Sequence, residues 1–253
     1  MEITLLDGGM GQELCNRSSN PIHAEWGGWV MRHEPHLVQE LHQDYLRAGA
    51  NVITLNAYAT TPRVSADTHG QTRDFEGEQM HAIELAHAAR KAAGPGARIA
   101  GTLPPLSWSY RPSLVEAFET NLADYRKIVA IQKDHVDLFI CETMSTAEEA
   151  RAAATAAQDG DKPVWVSWTL SEELASDGSA RLRSGETIAE AIAALDGLGR
   201  RIAVQLLCAR GDFGRVARAC EGRAPVWGLR KCLLGQSGRI WPRRDGRGDR
   251  ESD

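Results

Sequence analysis

The sequence lacks any apolar run approaching the roughly 18 residues that cross a bilayer. No basic region precedes the short apolar stretch of Met-Glu-Ile-Thr-Leu-Leu at its start, so no secretory leader is expected. A soluble, cytoplasmic protein with no membrane contact follows as the expectation. Strong charge of one sign is missing too: the net charge of −5 is too mild to favour a polyanionic partner, and nucleic-acid binding is not expected. The 5 cysteines are an odd number, scattered, with no two adjacent, which argues against a disulfide framework. There is no G-x-G-x-x-G, no Walker lysine and no H-E-x-x-H; most of the eight histidines, from His23 to His135, fall on predicted helices and loops. Dinucleotide binding, a phosphate cradle and histidine-held zinc are therefore set aside.

What is present is a repeated alternation. Short, continuously apolar runs recur at Ile3 to Leu6, Asn51 to Leu55, Arg98 to Gly101, Asp137 to Cys141, Val164 to Leu170, Ile202 to Cys208 and Pro225 to Trp227. Between several of them lie stretches with apolar residues three and four apart, such as Val38, Leu41 and Tyr45. Gly49 and Gly94 are placed to close two of these helices, and Ser145 or Thr146, ahead of Glu148 and Glu149, to open another. Apolar strands separated by helices imply a parallel sheet with right-handed crossovers. Seven such units favour a (β/α)8 TIM-type barrel over a doubly wound sheet, and 253 residues match the size of one barrel.

The last residues break the pattern. From Arg230 on there are seven Lys plus Arg against four Asp plus Glu, with no apolar periodicity after Arg239. The reading is a barrel domain over 1–229 and a basic, disordered tail over 230–253, with the eighth unit missing. A shifted reading frame near Gly228 would produce such a change. An open barrel exposes two strand edges, so self-association is expected.

In a barrel the chemistry sits at the carboxyl ends of the strands. Strand one delivers Asp7, Gly8 and Gly9, where glycines let a ligand approach the backbone or simply make a tight turn. Asn56, Tyr58, Thr60 and Thr61 follow strand two, as ligand-binding groups or as loop caps. Ser107 to Pro112 follow strand three, with aromatics that wall a pocket or pack on the rim. Glu142 ends an apolar strand, where a carboxylate is costly unless it binds something positive, and a substrate ammonium is the partner its position suggests. Cys208 puts a thiol at the end of strand six, either as an inert buried cysteine or as a reactive one. Cys141, on the opposite side of its strand from Glu142, reads as structural, as do Cys15 on a loop and Cys220 on a helix. No strand end offers a lysine for a Schiff base or paired carboxylates, so a lyase or aldolase is not supported.

These residues resemble the homocysteine S-methyltransferase family. The resemblance is carried by Leu6-Asp-Gly-Gly-Met-Gly11, the run from Tyr45 to Tyr58, Ala100-Gly-Thr-Leu-Pro-Pro105 with Ser109-Tyr-Arg-Pro112, Phe139-Ile-Cys-Glu-Thr143, Ser167-Trp-Thr-Leu170 with Arg181 to Glu186, and the strand of Cys208. It implies a barrel that moves a methyl group from a sulfonium donor, S-methylmethionine or S-adenosylmethionine, to homocysteine, giving methionine. Three cysteine thiolates would hold Zn2+ and the substrate thiol would fill the fourth position. By the same resemblance Asp7, Gly8 and Gly9 shape the homocysteine pocket, Glu142 holds the amino group, and Cys208 is the first zinc ligand. The family's adjacent Cys-Cys pair has no counterpart in this chain, and Cys232 stands alone in unrelated context. The expectation is weak or absent activity, or a barrel that keeps an amino-acid pocket without turnover.

Overall fold

The computed structural model describes residues 4–66, 73–94 and 96–198, together with the backbone of strand Ile202–Leu207. The elements run α1 (Met10–Arg17), α2 (Trp26–His33), α3 (Pro35–Arg47), β1 (Val52–Thr54), α4 (Pro62–Ala66), α5 (Phe75–Ala93), β2 (Arg98–Leu103), α6 (Phe118–Gln132), β3 (Leu138–Met144), α7 (Ala147–Gln158), β4 (Val164–Thr169), α8 (Ile188–Ala193) and β5 (Ile202–Leu207). Of the expected segment Ile3 to Leu6, Ile3 lies outside the described residues, and Leu6 forms a parallel bridge to Val52, extended by Asp7 N–H donating to Val52 O at 2.9 Å. The expected strand Pro225 to Trp227, Cys208 and the 230–253 tail lie outside the described residues.

Local chemistry sets the ends of the helices. α3 starts with Pro35 in its first turn and stops where Gly49 turns left-handed at φ +99°, and Gly94 does the same for α5 at φ +91°. The Asp74 side chain caps α5 by accepting from Gly77 N–H at 2.9 Å. Of the two candidates ahead of α7, Thr146 is the cap: its hydroxyl accepts from Glu149 N–H at 3.0 Å. Two helices, α1 and α2, occupy a region where no helix was expected. Gly27 and Gly28 hide α2 from propensity, and packing explains the first: a Cβ on Gly27 would stand 2.8 Å from Asn56 Oδ1. Cys15, expected on a loop, is buried within α1.

All five strands are parallel, in the order β1-β2-β3-β4-β5. That order contains no reversal of the kind that divides a doubly wound sheet. α3 packs on α5, α5 on α6, α6 on α7 and α7 on α8, so the helices form one layer in chain order. Its partner is one face of the sheet: Ile53, Ile99, Leu103, Phe139, Cys141, Val164, Val166 and Trp168 join the helices in the main core. The alternate residues face the other way, and Val52, Ala100, Leu138 and Ile140 form a second apolar cluster with Leu6 and Trp165. No described helix is long and apolar enough to cross a membrane.

β3 is irregular where it matters. Cys141 pairs with Val166 and Met144 with Trp168, so β3 carries one extra residue between two paired positions. Thr143 absorbs it at φ +64°, which returns Met144 to the helix-facing core beside Cys141. Glu142 is left on the opposite side, at the carboxyl edge.

Candidate functional site

Two residues beyond four of the apolar positions of the second cluster, the side chain becomes polar. Val52 gives way to Thr54, Ala100 to Thr102, Ile140 to Glu142 and Trp165 to Ser167. The period of two puts each polar residue on the same face as the apolar one below it. A dry layer therefore carries a polar layer at the carboxyl edge.

Asp7 enters this layer from the segment beside β1. It is 3% exposed, and its carboxylate accepts from Thr54 N–H at 2.7 Å and from the Thr54 hydroxyl at 3.1 Å. The adjoining Gly8 lies against Tyr45, whose hydroxyl donates to Gly9 O at 3.2 Å; a Cβ on Gly8 would stand 2.6 Å from that hydroxyl oxygen. Asn56 is buried, its amide nitrogen donating to Gly27 O at 3.0 Å. It thus fixes the start of α2 against the strand edge. Thr60 and Thr61 serve the loops: Thr61 donates to Leu106 O at 3.0 Å and caps Val64 N–H, while Thr60 reaches Glu78 at 3.4 Å.

Glu142 is half-buried and accepts a short hydrogen bond from the Thr102 hydroxyl. Beside it the Tyr58 hydroxyl meets Ser109 Oγ at 2.6 Å. Burial pushes the Tyr58 phenol well above its ordinary value, the Glu142 charge adds to the rise, and the Ser109 hydrogen bond only partly opposes it. Tyr58 is therefore a neutral hydrogen-bonding group and not a base near pH 7. Above it the Arg183 guanidinium lies 4.7 Å from the Tyr110 ring centre and bonds Glu172 at 3.2 Å, joining the loop after β4 to that after β2. Ser167 Oγ is buried with no hydrogen-bond partner among the described residues. Trp26, Tyr110 and Thr143, three of the four described non-glycine residues with positive φ, lie at this edge; the fourth, Asp161, precedes β4 at the opposite end. Backbone strain of this kind gathers at functional sites.

The structure thus brings Asp7, Gly8, Gly9, Asn56 and Glu142 to one edge of the sheet. Cys141 faces away from it: the thiol is wholly buried in the helix-facing core, and burial, reinforced by the Glu142 charge, raises its pKa far above that of a reactive cysteine. Among the described residues no group of three or more His, Cys, Asp or Glu side chains could hold a metal ion. Thr54, Thr102 and Ser167 were not anticipated as site residues. The signal for them was strand periodicity, since each stands two positions beyond an inward apolar residue.

The sequence pattern of the homocysteine S-methyltransferase family matches residues 4–220. The chain belongs to that family. A homocysteine S-methyltransferase of Escherichia coli K12 is 29% identical over 224 residues, covering 82% of this chain and 69% of the relative. The selenocysteine methyltransferase of Astragalus bisulcatus is 25% identical over 241 residues, covering 83% of this chain and 69% of that one. Among solved structures, the metallated form of the Escherichia coli homocysteine methyltransferase MmuM aligns with a TM-score of 0.70 at 28% identity, covering 82% of this chain and 75% of the other. Within this methyltransferase family, the relatives named here act on homocysteine and on selenocysteine.

Proposed function

We propose that this chain binds homocysteine in the polar layer and serves its methylation by a sulfonium donor, S-methylmethionine or S-adenosylmethionine, to give methionine. The observation that carries the reading is Glu142. Its carboxylate stands at the end of an apolar strand, just before the bulge at Thr143, and is held by Thr102 on the face that also carries Asp7. A half-buried carboxylate there gains most from a cation, and the substrate ammonium is the one this chemistry provides. Asp7, Gly8 and Gly9 bound the same pocket, and Asn56 keeps its wall in place by anchoring Gly27.

The reading also takes the sheet to be part of a (β/α)8 barrel with 230–253 as a tail. Val52, Ala100, Leu138 and Ile140 are at most 4% exposed, yet the cluster they form includes no helix residue. A sheet that curls on itself buries such a face. Curvature also serves the site: in a flat sheet Asp7 and Glu142 would stand three strand spacings apart, roughly 14 Å, and curling draws them toward a common ligand.

Zinc is the cofactor the family resemblance implies, with Cys208 as its candidate ligand. The described residues do not fit it: Cys15 and Cys141 are both buried, and Cys141 faces the helices. Cys208, Cys220 and Cys232 lie outside the described residues, and the sequence has no adjacent cysteine pair. The chain's own residues bind and orient: Glu142 takes the ammonium, Thr102 fixes the carboxylate, and Tyr58 stays protonated beside it.

Calorimetric titration with L-homocysteine tests the pocket. Glu142→Gln should weaken binding by about 10- to 100-fold, the loss of one charge-assisted hydrogen bond. Unchanged affinity would sink the assignment. Zinc per chain after dialysis, compared with Cys208→Ser, decides turnover: near one zinc, lost in the variant, supports methyl transfer, and no zinc leaves an amino-acid-binding protein.

A further inference from the structure

We propose that Gln132, on α6, is a positioning residue for Glu142, acting through Thr102 to set the affinity of the site for a substrate ammonium group. The proposal rests on the assignment of Glu142 to that group. Its starting point is a gap in the sheet. β1 ends at Thr54; Leu55 N–H still reaches Ala100 O at 3.0 Å, but Ala57 N–H turns back to Leu55 O at 2.8 Å. In a parallel ladder the N–H and C=O of one residue point to the same neighbour, so those of Thr102 point to where β1 has already ended.

The Gln132 side chain fills that place. Its Oε1 accepts from Thr102 N–H at 3.0 Å, and its Nε2 donates to Thr102 O at 3.3 Å. An amide side chain thus stands in for one peptide of the missing strand. The same Nε2 donates to Gln79 Oε1 at 2.8 Å, and Gln79 Nε2 donates to Thr60 O at 2.7 Å. Gln79, Gln132 and Thr102 are each wholly buried, so the chain has no water to fall back on. The orientation is fixed from both ends: Thr102 N–H demands an oxygen, and Gln79 Oε1 demands a donor. Gly101 makes the approach feasible, because a Cβ there would lie 2.5 Å from Gln132 Oε1.

The consequence reaches the site through one atom. Thr102 is the residue whose hydroxyl donates to Glu142, and its backbone is held by Gln132 and not by β1. β2 stays paired with β3 there, but loss of the Gln132 amide would leave the other edge of Thr102 unheld, loosen its hydroxyl, and let the Glu142 carboxylate leave its position.

The test compares the affinity of the full chain for L-homocysteine with that for its des-amino analogue, 4-mercaptobutanoate, by titration calorimetry. Gln132→Met, Thr102→Val and Glu142→Gln should each weaken homocysteine binding by about 10-fold or more and leave 4-mercaptobutanoate within about 2-fold. Thr102→Ser should restore the wild-type ratio. Combining Gln132→Met with Thr102→Val should cost no more than the worse single change, since both break one path. If Gln132→Met does not fold, Gln79→Met, which removes the anchor of the amide together with the Gln79 bond to Thr60 O, takes its place with the same direction of change. A Gln132 or Gln79 variant that weakens both ligands alike, or neither, overturns the positioning role while the Glu142 result stands. If Glu142→Gln fails to discriminate, or wild type binds neither ligand, the ammonium assignment falls and this proposal falls with it.

Discussion

Asp7 grips Thr54 twice, taking its backbone N–H at 2.7 Å and its hydroxyl at 3.1 Å, in a place where Asp7 is 3% and Thr54 5% exposed. Two buried donors depend on one carboxylate. Asp7→Ala leaves both unsatisfied, at a cost of roughly 1–3 kcal/mol for each group. We expect a total loss of about 2–4 kcal/mol and roughly half of that for Asp7→Asn, which keeps one acceptor oxygen. Urea unfolding with an unchanged m-value checks it. A loss below about 0.5 kcal/mol for Asp7→Ala would show that the pair is not what holds this edge.

Two buried titratable groups should give the protein an unusual pH profile. His42 is wholly buried in α3 with both ring nitrogens unpartnered among the described residues, and desolvation pushes its pKa down to about 4. Glu149 is buried at the start of α7; desolvation pushes its pKa up to about 7, against the opposing hydrogen bonds from Ser145 and Thr146 N–H. The signs oppose each other. Between about pH 6.5 and 4 the unfolded chain takes up a proton at His42 that the folded one refuses, so this term destabilises as pH falls. Between about pH 4.5 and 7 the folded chain keeps a proton on Glu149 that the unfolded one releases, so this term destabilises as pH rises. Each spans roughly 3 kcal/mol, and they cancel where the windows overlap. His42→Leu should therefore lose stability as pH rises from 4.5 to 7, and Glu149→Gln should lose it as pH falls from 6.5 to 4. Parallel slopes in the two variants, measured by urea unfolding across that range, would contradict the pairing.

The strand and helix alternation, the closing glycines Gly49 and Gly94, and the placing of Asp7 and Glu142 at strand ends were all legible in the sequence. They depend on local rules: apolar runs, caps, and carboxylates at the ends of apolar segments. What was not legible depends on contacts between distant residues. The extra residue in β3 leaves no trace in composition, because Cys141, Glu142 and Thr143 read as simple alternation. Gln132 looks like an ordinary polar residue at a helix end, and only the early stop of β1 gives its amide a role. Gly27 suggests a loop until Asn56 is seen beside it.

Gly8 gives a sharper test of the pocket floor. A Cβ there would come within 2.6–2.8 Å of Tyr45 OH, Cε1 and Cζ, and the ring is not free to retreat because its hydroxyl is tied to Gly9 O. Gly8→Ala should cost roughly 1–3 kcal/mol, as overpacking does. Tyr45→Phe would not relieve it, since ring carbons make two of the three contacts. Tyr45→Leu should, so the double variant Gly8→Ala with Tyr45→Leu is expected to be more stable than the two single losses summed. Simple additivity would place the cost of Gly8→Ala elsewhere.

Cysteine reactivity separates ancestry from metal chemistry. Cys141 lies on the helix-facing side of β3, wholly buried and with its thiol held protonated by desolvation first and by the Glu142 charge second; Cys15 is buried in α1 and its thiol is likewise pushed up by burial. Thiolate is the reacting species, so neither should be alkylated in the folded protein. Iodoacetamide labelling followed by peptide mass analysis should find both unmodified until denaturant is added. Cys141→Ala should leave zinc per chain unchanged, whereas Cys208→Ser should abolish whatever zinc the wild type holds. Rapid native labelling of Cys141, or loss of zinc on its removal, would mean that β3 presents its other face to the site, and the assignment of Glu142 would have to be withdrawn with it.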